Sequence, residues 1–180
     1  MRVLFLIGFP GAGKTTLGRA LEDTGSAAFV DLDEAVERRA SMSVPEIFAK
    51  AGEAAFRAME LDELRRICET QTACSKPLVV ACGGGTPCRP EAMDLMLARG
   101  EVVWLQSPPE LLLKRLLEAG NTRPMIAGLD TEGVRAYIER VGRERHSAYS
   151  RASRTFDSSL LDTAEGIDRS VKLFISRFSL

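Results

Sequence analysis

Short apolar runs alternate along this chain with longer stretches in which apolar side chains recur every three or four positions. Val3-Leu4-Phe5-Leu6-Ile7 is the first run and is rich in strand formers. Thr16 to Glu22 follows, with Leu17 and Leu21 four apart on one helical face. Ala27-Ala28-Phe29-Val30 reads as a second strand ending at Asp31, and Leu32 to Ala40 as a helix. Ser43-Val44-Pro45-Glu46 has capping-box spacing ahead of Ile47, Phe48 and Ala51, so a short helix starts there. From Glu53 to about Gln71 the pattern predicts one longer amphipathic helix, with Phe56, Met59, Leu61, Leu64, Ile67 and Cys68 as its buried stripe.

Pro77 closes that region, and Leu78-Val79-Val80-Ala81-Cys82 is a buried-strand pattern running into Gly83-Gly84-Gly85. Pro90 to Ala98 reads as a short helix that Gly100 terminates. Val102-Val103-Trp104-Leu105 is the next strand. Ser107-Pro108-Pro109-Glu110 then supplies an N-cap, a proline at the first helical position and an acid in the first turn of a helix reaching about Glu118. Residues 119–130 lack sustained periodicity and read as a loop; a long helix follows from about Thr131 to Tyr149. Arg154-Thr155-Phe156-Asp157 is a weak last strand, and Ile167, Val171, Phe174, Ile175 and Phe178 mark a closing helix. Strands alternating with helices predict an α/β domain with a parallel sheet covered by helices. There is no repeat, low-complexity tract or linker, so residues 1–180 form a single expected domain.

Composition narrows the classes. At 45% apolar and 27% charged residues the chain can build a proper core, and a net charge of −1 gives no electrostatic reason to expect nucleic-acid or membrane binding. Of the 24 basic residues 19 are Arg, whose forks suit phosphate and carboxylate, although GC-rich codon usage gives the same skew. The first apolar run is too short for a signal-peptide core, and no stretch approaches transmembrane length. Cys68, Cys74, Cys82 and Cys88 contain no C-x-x-C pair and His146 is the only histidine, which argues for reduced thiols in a cytoplasm over a zinc site.

The chemistry begins at Gly8-Phe9-Pro10-Gly11-Ala12-Gly13-Lys14-Thr15, a match to G-x-x-x-x-G-K-[ST] placed between a strand and a helix as that motif requires. Glycines let the backbone wrap phosphate, the helix N-terminus favours negative charge, Lys14 reaches the β/γ oxygens and the Thr15 hydroxyl suits Mg²⁺. This loop binds a nucleoside triphosphate. In open parallel sheets ligands lie at the carboxyl ends of the strands, which makes the residues after each strand the next candidates. Strand two delivers Asp31-Leu32-Asp33: one carboxylate for Mg²⁺ and one to deprotonate an acceptor, or simply a helix cap with a first-turn acid. Strand three delivers Gly83-Gly84-Gly85, which fits either close approach of a substrate to bare backbone or a tight turn. Glu53, Arg57 and Glu60 share a helical face, as surface ion pairs or as carboxylates aiming Arg57 at an anion.

With Gly-Glu-x-x-Phe-Arg-x-x-Glu at 52–60, Arg123-Pro124-Met125-Ile126, and Arg145 with Tyr149 four later, the ordered set over about residues 1–150 resembles the shikimate kinase family. That resemblance implies a P-loop kinase fold like that of nucleoside monophosphate kinases, a five-stranded parallel sheet with helices on both faces and a mobile lid at about 115–130. It implies transfer of the γ-phosphoryl of ATP to the 3-hydroxyl of shikimate in aromatic amino-acid biosynthesis. Carried over residue by residue, Gly11, Ala12, Gly13, Lys14, Thr15 and Thr16 hold ATP, Thr15 and Asp31 serve Mg²⁺, and Asp33 contacts the acceptor hydroxyl as base. Arg57, Arg145 and Gly83–Gly85 hold shikimate, and Arg123 closes over the γ-phosphate. The family often has proline two residues after its second carboxylate-binding Arg; here His146-Ser147 follow Arg145, and Arg143 is close enough to compete. Arg115 and Ser158–Glu165 are candidates for the adenine contacts.

A cytoplasmic monomer acting on two small molecules is the expectation, with no nucleic-acid or membrane partner. A gluconate-kinase-like or nucleoside monophosphate kinase is the nearest alternative, disfavoured by the Arg57 motif and the glycine triplet. A GTP switch would use Asp130-Thr131-Glu132-Gly133 as its D-x-x-G element, but this follows a loop and no N-K-x-D motif exists.

Overall fold

Residues 2–70, 76–120 and 124–180 are described by the computed structural model. β1 (Val3–Ile7) leads through the glycine-rich loop into α1 (Lys14–Asp23), and β2 (Ala28–Asp31) leads into α2 (Leu32–Ala40) and α3 (Val44–Thr70). β3 (Leu78–Ala81) passes through a 3-10 turn at Thr86–Cys88 into α4 (Pro90–Arg99), and β4 (Glu101–Gln106) is followed by α5 (Pro109–Ala119). A 3-10 turn at Pro124–Ile126 precedes α6 (Thr131–Tyr149), and β5 (Arg154–Asp157) with α7 (Ala164–Phe178) ends the chain.

The five strands form one parallel sheet in the order β2-β3-β1-β4-β5. Side chains alternate across a strand, which divides β1 between two cores. Leu4 and Leu6 face one cluster with Leu17 and Leu21 of α1, Leu113 and Leu116 of α5 and Phe174 of α7. Val3, Phe5 and Ile7 face another with Leu32 of α2, Leu64 and Ile67 of α3 and Met93 and Met96 of α4. Helices therefore cover both faces, and β1 and β3 are apolar and buried throughout because neither side meets water. Among the described residues no helix is long and apolar enough to cross a membrane.

Local signals explain most boundaries. Ser43 and Glu46 form a reciprocal capping box: Ser43 N donates to Glu46 Oε2 at 2.8 Å and Glu46 N to Ser43 Oγ at 3.4 Å. The two helices expected on either side of Gly52 run as one element broken at that residue, which has φ 78°. The expected end of that helix at Gln71 lies outside the described residues. Gly100 ends α4 because a methyl group there would lie 2.2 Å from Val3 O.

One expectation is corrected. Ser107 does not cap α5; Pro108 holds that position, while Ser107 Oγ contacts Ser158 Oγ at 2.8 Å and accepts from Arg115. The first residues of the expected lid, 115–119, are the last turns of α5. Asp130-Thr131-Glu132-Gly133 is a helix cap, with Gly133 N donating to Asp130 Oδ1 at 2.8 Å, which accounts for the D-x-x-G pattern without a switch.

Candidate active site

The carboxyl ends of β1, β2 and β3 open on a cleft of about 640 Å³ lined by Gly13, Lys14, Thr15, Asp31, Asp33 and Gly83, among others. On the donor side α1 starts without a capping side chain and without an acid in its first turn. Its first amides are therefore kept for an anion, the arrangement a phosphate site needs. Gly13 has φ 85°, and its missing side chain leaves room for Leu161, whose Cδ1 would sit 2.5 Å from a methyl group there. Lys14 Nζ donates to Gly8 O at 2.9 Å and Phe9 O at 3.2 Å, which folds the ammonium along the loop. Gly11, Gly13 and Thr16 line the cleft. Ala12 is buried, and its N–H closes the turn onto Phe9 O at 3.0 Å, so it shapes the loop rather than facing the cleft.

At the far end Arg115 donates to Gly11 O, Ser107 Oγ, Ser158 O and Asp162 Oδ1 at 2.5–3.1 Å. It ties the phosphate loop to the segment after β5. Lys114, Arg115, Leu161 and Asp162 bound the cleft there. Arg123 lies outside the described residues. Met125, just after it, reaches the cleft, and Ile126 anchors the 3-10 turn in the core.

Asp31 caps α2 and also bonds to the phosphate loop's helix. Its Oδ2 accepts from Thr15 Oγ1 at 2.7 Å, while Oδ1 caps α2 by accepting from Asp33 N at 3.1 Å and Glu34 N at 3.4 Å. Asp33, in the first turn of α2, points its carboxylate toward the glycine triplet, and its Oδ1 is buried with no hydrogen-bond partner among the described residues. Burial first, then Glu60 and Asp31, push its pKa up from 3.8 to about 6, with Lys14 and Arg57 opposing. A carboxyl poised near neutrality can take a proton and give it up again.

The triplet gathers the remaining groups. A methyl group on Gly83 would lie 2.8 Å from Glu60 Oε1 and 2.9 Å from Asp33 Oδ1; one on Gly84, 2.7 Å from Arg145 Nη1; one on Gly85, 2.5 Å from Arg57 Nη2. None of the three has a positive φ. They are glycines because four charged side chains occupy the space that Cβ atoms would take, a reason neither sequence reading contained.

Arg57 of α3 donates to Glu60 Oε2 at 2.5 Å and to the exposed Glu53 Oε1 at 3.3 Å. Arg145 of α6 has a buried Nη1 with no partner among the described residues. Arg143 is turned away, into a separate groove with Phe9, Trp104 and Ile138. Tyr149 donates its hydroxyl to Gly84 O at 2.7 Å, and burial pushes its pKa up to about 12, so it stays a donor.

The sequence left Glu60 as either a surface ion pair or a carboxylate aiming Arg57 and did not single out Thr86; both residues are buried. A signal existed for Glu60. It stands four residues from both Phe56 and Leu64, inside the buried stripe.

A phosphate-binding loop opposite a carboxylate and two guanidinium groups, on a parallel α/β sheet, defines a P-loop phosphotransferase with an acceptor pocket beside its nucleotide cleft. The shikimate kinase family model matches residues 10–174. A shikimate kinase of Parabacteroides distasonis is 37% identical over 167 residues, covering 93% of this chain and 94% of that protein. The crystal structure of shikimate kinase from Bacteroides thetaiotaomicron superposes with TM-score 0.91 at 32% identity over 99% of both chains. The Acinetobacter baumannii enzyme in complex with shikimate superposes with TM-score 0.78 at 29% identity, covering 99% of this chain and 94% of that one. The chain belongs to the shikimate kinase family.

Proposed function

We propose that this protein transfers the γ-phosphoryl group of ATP to the 3-hydroxyl of shikimate, giving shikimate 3-phosphate and ADP in aromatic amino-acid biosynthesis. One observation carries the reading: Asp33, Arg57 and Arg145 approach three successive glycines, beside a loop built for triphosphate. Shikimate is a small anion with a planar carboxylate, which guanidinium forks match bidentately. Arg145, with an unused buried nitrogen, grips that carboxylate together with Arg57, while Gly83–Gly85 allow close approach of the ring.

The acceptor hydroxyl oxygen attacks the γ-phosphorus, the bond from that phosphorus to the β–γ bridging oxygen breaks, ADP leaves, and the hydroxyl proton passes to Asp33. There is little covalent work for the protein to do; positioning and charge neutralisation dominate. Lys14, Gly11, Gly13, Thr16 and the first amides of α1 hold the triphosphate, and Arg115 with Asp162 bounds the adenine end. Arg123 neutralises the γ-phosphate as the segment 119–130 closes and excludes water.

Thr15 and Asp31 offer a hydroxyl and a carboxylate side by side, and among the described residues no group of three acids, histidines or cysteines is arranged for a metal. That donor set fits Mg²⁺, which keeps its waters and takes further oxygens from phosphate. Bound there, Mg²⁺ supplies charge neutralisation along the triphosphate. The described cysteines Cys68, Cys82 and Cys88 are free thiols, which supports a cytoplasmic setting.

A coupled assay of ADP release, with shikimate, gluconate and nucleoside monophosphates offered separately, tests the reading. Turnover with shikimate alone is expected; preference for either other acceptor overturns it.

A further inference from the structure

We propose that Thr86 is a positioning residue for the acceptor, acting through Glu60 on Arg57; the inference rests on the shikimate reading above. Thr86 and Glu60 are each 1% exposed. Thr86 Oγ1 donates to Glu60 Oε1 at 2.6 Å, and the other oxygen of that carboxylate accepts from Arg57 Nη1 at 2.5 Å. Each oxygen of Glu60 therefore has one partner, on opposite sides. The terminal torsion of a glutamate is broad, so a single partner leaves the carboxylate free to swing, whereas two fix its plane.

The anchor itself is rigid. Thr86 opens the 3-10 turn that follows the glycine triplet; its N–H donates to Gly83 O at 3.1 Å, and its carbonyl accepts from Arg89 N at 3.2 Å. This turn thus reaches across from β3 to set a carboxylate on α3. The second restraint on Arg57, Glu53, is 68% exposed and lies at 3.3 Å, too wet to orient a guanidinium alone.

The geometry also gives Thr86 a second task. Glu60 Oε1, Asp33 Oδ1 and Thr86 Oγ1 would all lie within 3.0 Å of one methyl position on Gly83. Two carboxylates meet at that point. The Thr86 hydroxyl is the donor that engages the Glu60 oxygen nearest to Asp33, leaving Asp33 to face the acceptor.

Thr86 does not line the nucleotide cleft, so its loss should act on one substrate only. Thr86→Val keeps the volume and removes the donor. Steady-state kinetics should show the KM for shikimate rising about tenfold, the loss expected for one hydrogen bond to a charged group, with the KM for ATP within about twofold. Thr86→Ser keeps the hydroxyl and should restore the shikimate KM to within about twofold of the parent. Thr86→Ala, measured in parallel with a thermal melt of each variant, gives the same reading should the buried valine not fold. An unchanged shikimate KM in folded Val and Ala variants overturns the proposal. So does an equal rise in both KM values, or a serine variant as impaired as the valine one. Failure of the parent enzyme to phosphorylate shikimate would instead overturn the reading on which this rests.

Discussion

Thr15 donates to Asp31 across 2.7 Å, so a residue in the first turn of the helix after the phosphate loop is bonded to the residue that caps the helix after β2. One hydrogen bond thus joins the start of α1 to the carboxyl end of β2. This relationship separates two contributions of Asp31. Asparagine also caps helices well, whereas alanine does not. Asp31→Asn is therefore expected to melt near the parent temperature while needing more Mg²⁺ for half-maximal turnover. Asp31→Ala should show the same Mg²⁺ defect and lose about 1 kcal/mol of stability in a denaturant titration. Equal Mg²⁺ dependence in all three proteins would remove the carboxylate from the metal.

Lys14→Ala should lower kcat by on the order of 100-fold or more, because charge developing on the phosphates loses a pre-placed partner. Single-turnover measurement at saturating ATP checks this, and a near-normal rate would refute it.

Asp33 carries opposite signs for activity and stability. Its folded pKa of about 6 exceeds the ordinary 3.8, so the folded protein binds the extra proton between about pH 4 and 6. The favourable contribution is complete below the lower value and lost as pH rises through the upper one, leaving a buried charge at neutral pH. In protein free of nucleotide and metal, Asp33→Asn is expected to gain on the order of 2 kcal/mol above pH 6 and nothing near pH 4. The same variant should lose kcat by orders of magnitude with ATP binding retained, and the parent kcat/KM for shikimate should fall on the acid side near pH 6. Thermal melts across pH alongside rate profiles test both halves. A stability gain that grows toward pH 4 would reverse the sign.

Arg57→Ala and Arg145→Ala should each weaken shikimate binding at least tenfold, with ATP affinity nearly intact, since each removes a fork from a desolvated carboxylate. Arg143→Ala should leave both affinities near the parent value, because Arg143 faces a different groove. Calorimetric titration with shikimate discriminates; the reverse pattern would assign the carboxylate to Arg143.

Much of this was legible along the chain because strands buried on both faces read as unbroken apolar runs, and Val3–Ile7 and Leu78–Ala81 are such runs. The helix after Asp31 shows its bounds through cap and composition, and Ser43 with Glu46 announces the start of α3. The phosphate loop is a contiguous motif and needs no third dimension. What stayed hidden depends on convergence. Whether Arg143 or Arg145 faces the acceptor turns on the rotation of α6 against the sheet, which spacing alone does not give. Whether Glu60 pairs at the surface or aims Arg57 stayed open, because its two bonds, to a residue three away and to one in another element, cannot both be read from one helix. The D-x-x-G letters fit a helix cap as well as a switch element, and its place after a loop already spoke against the switch.

The three glycines after β3 have a consequence for how this enzyme can change. Each sits against a different charged side chain, and no residue is smaller than glycine. Substitution there can only displace Asp33, Glu60, Arg57 or Arg145, so this edge of the pocket has no neutral neighbours in sequence space. Gly52 is the contrast: a methyl group there would meet no atom within 4 Å, so its φ of 78°, and not its surroundings, is what favours glycine.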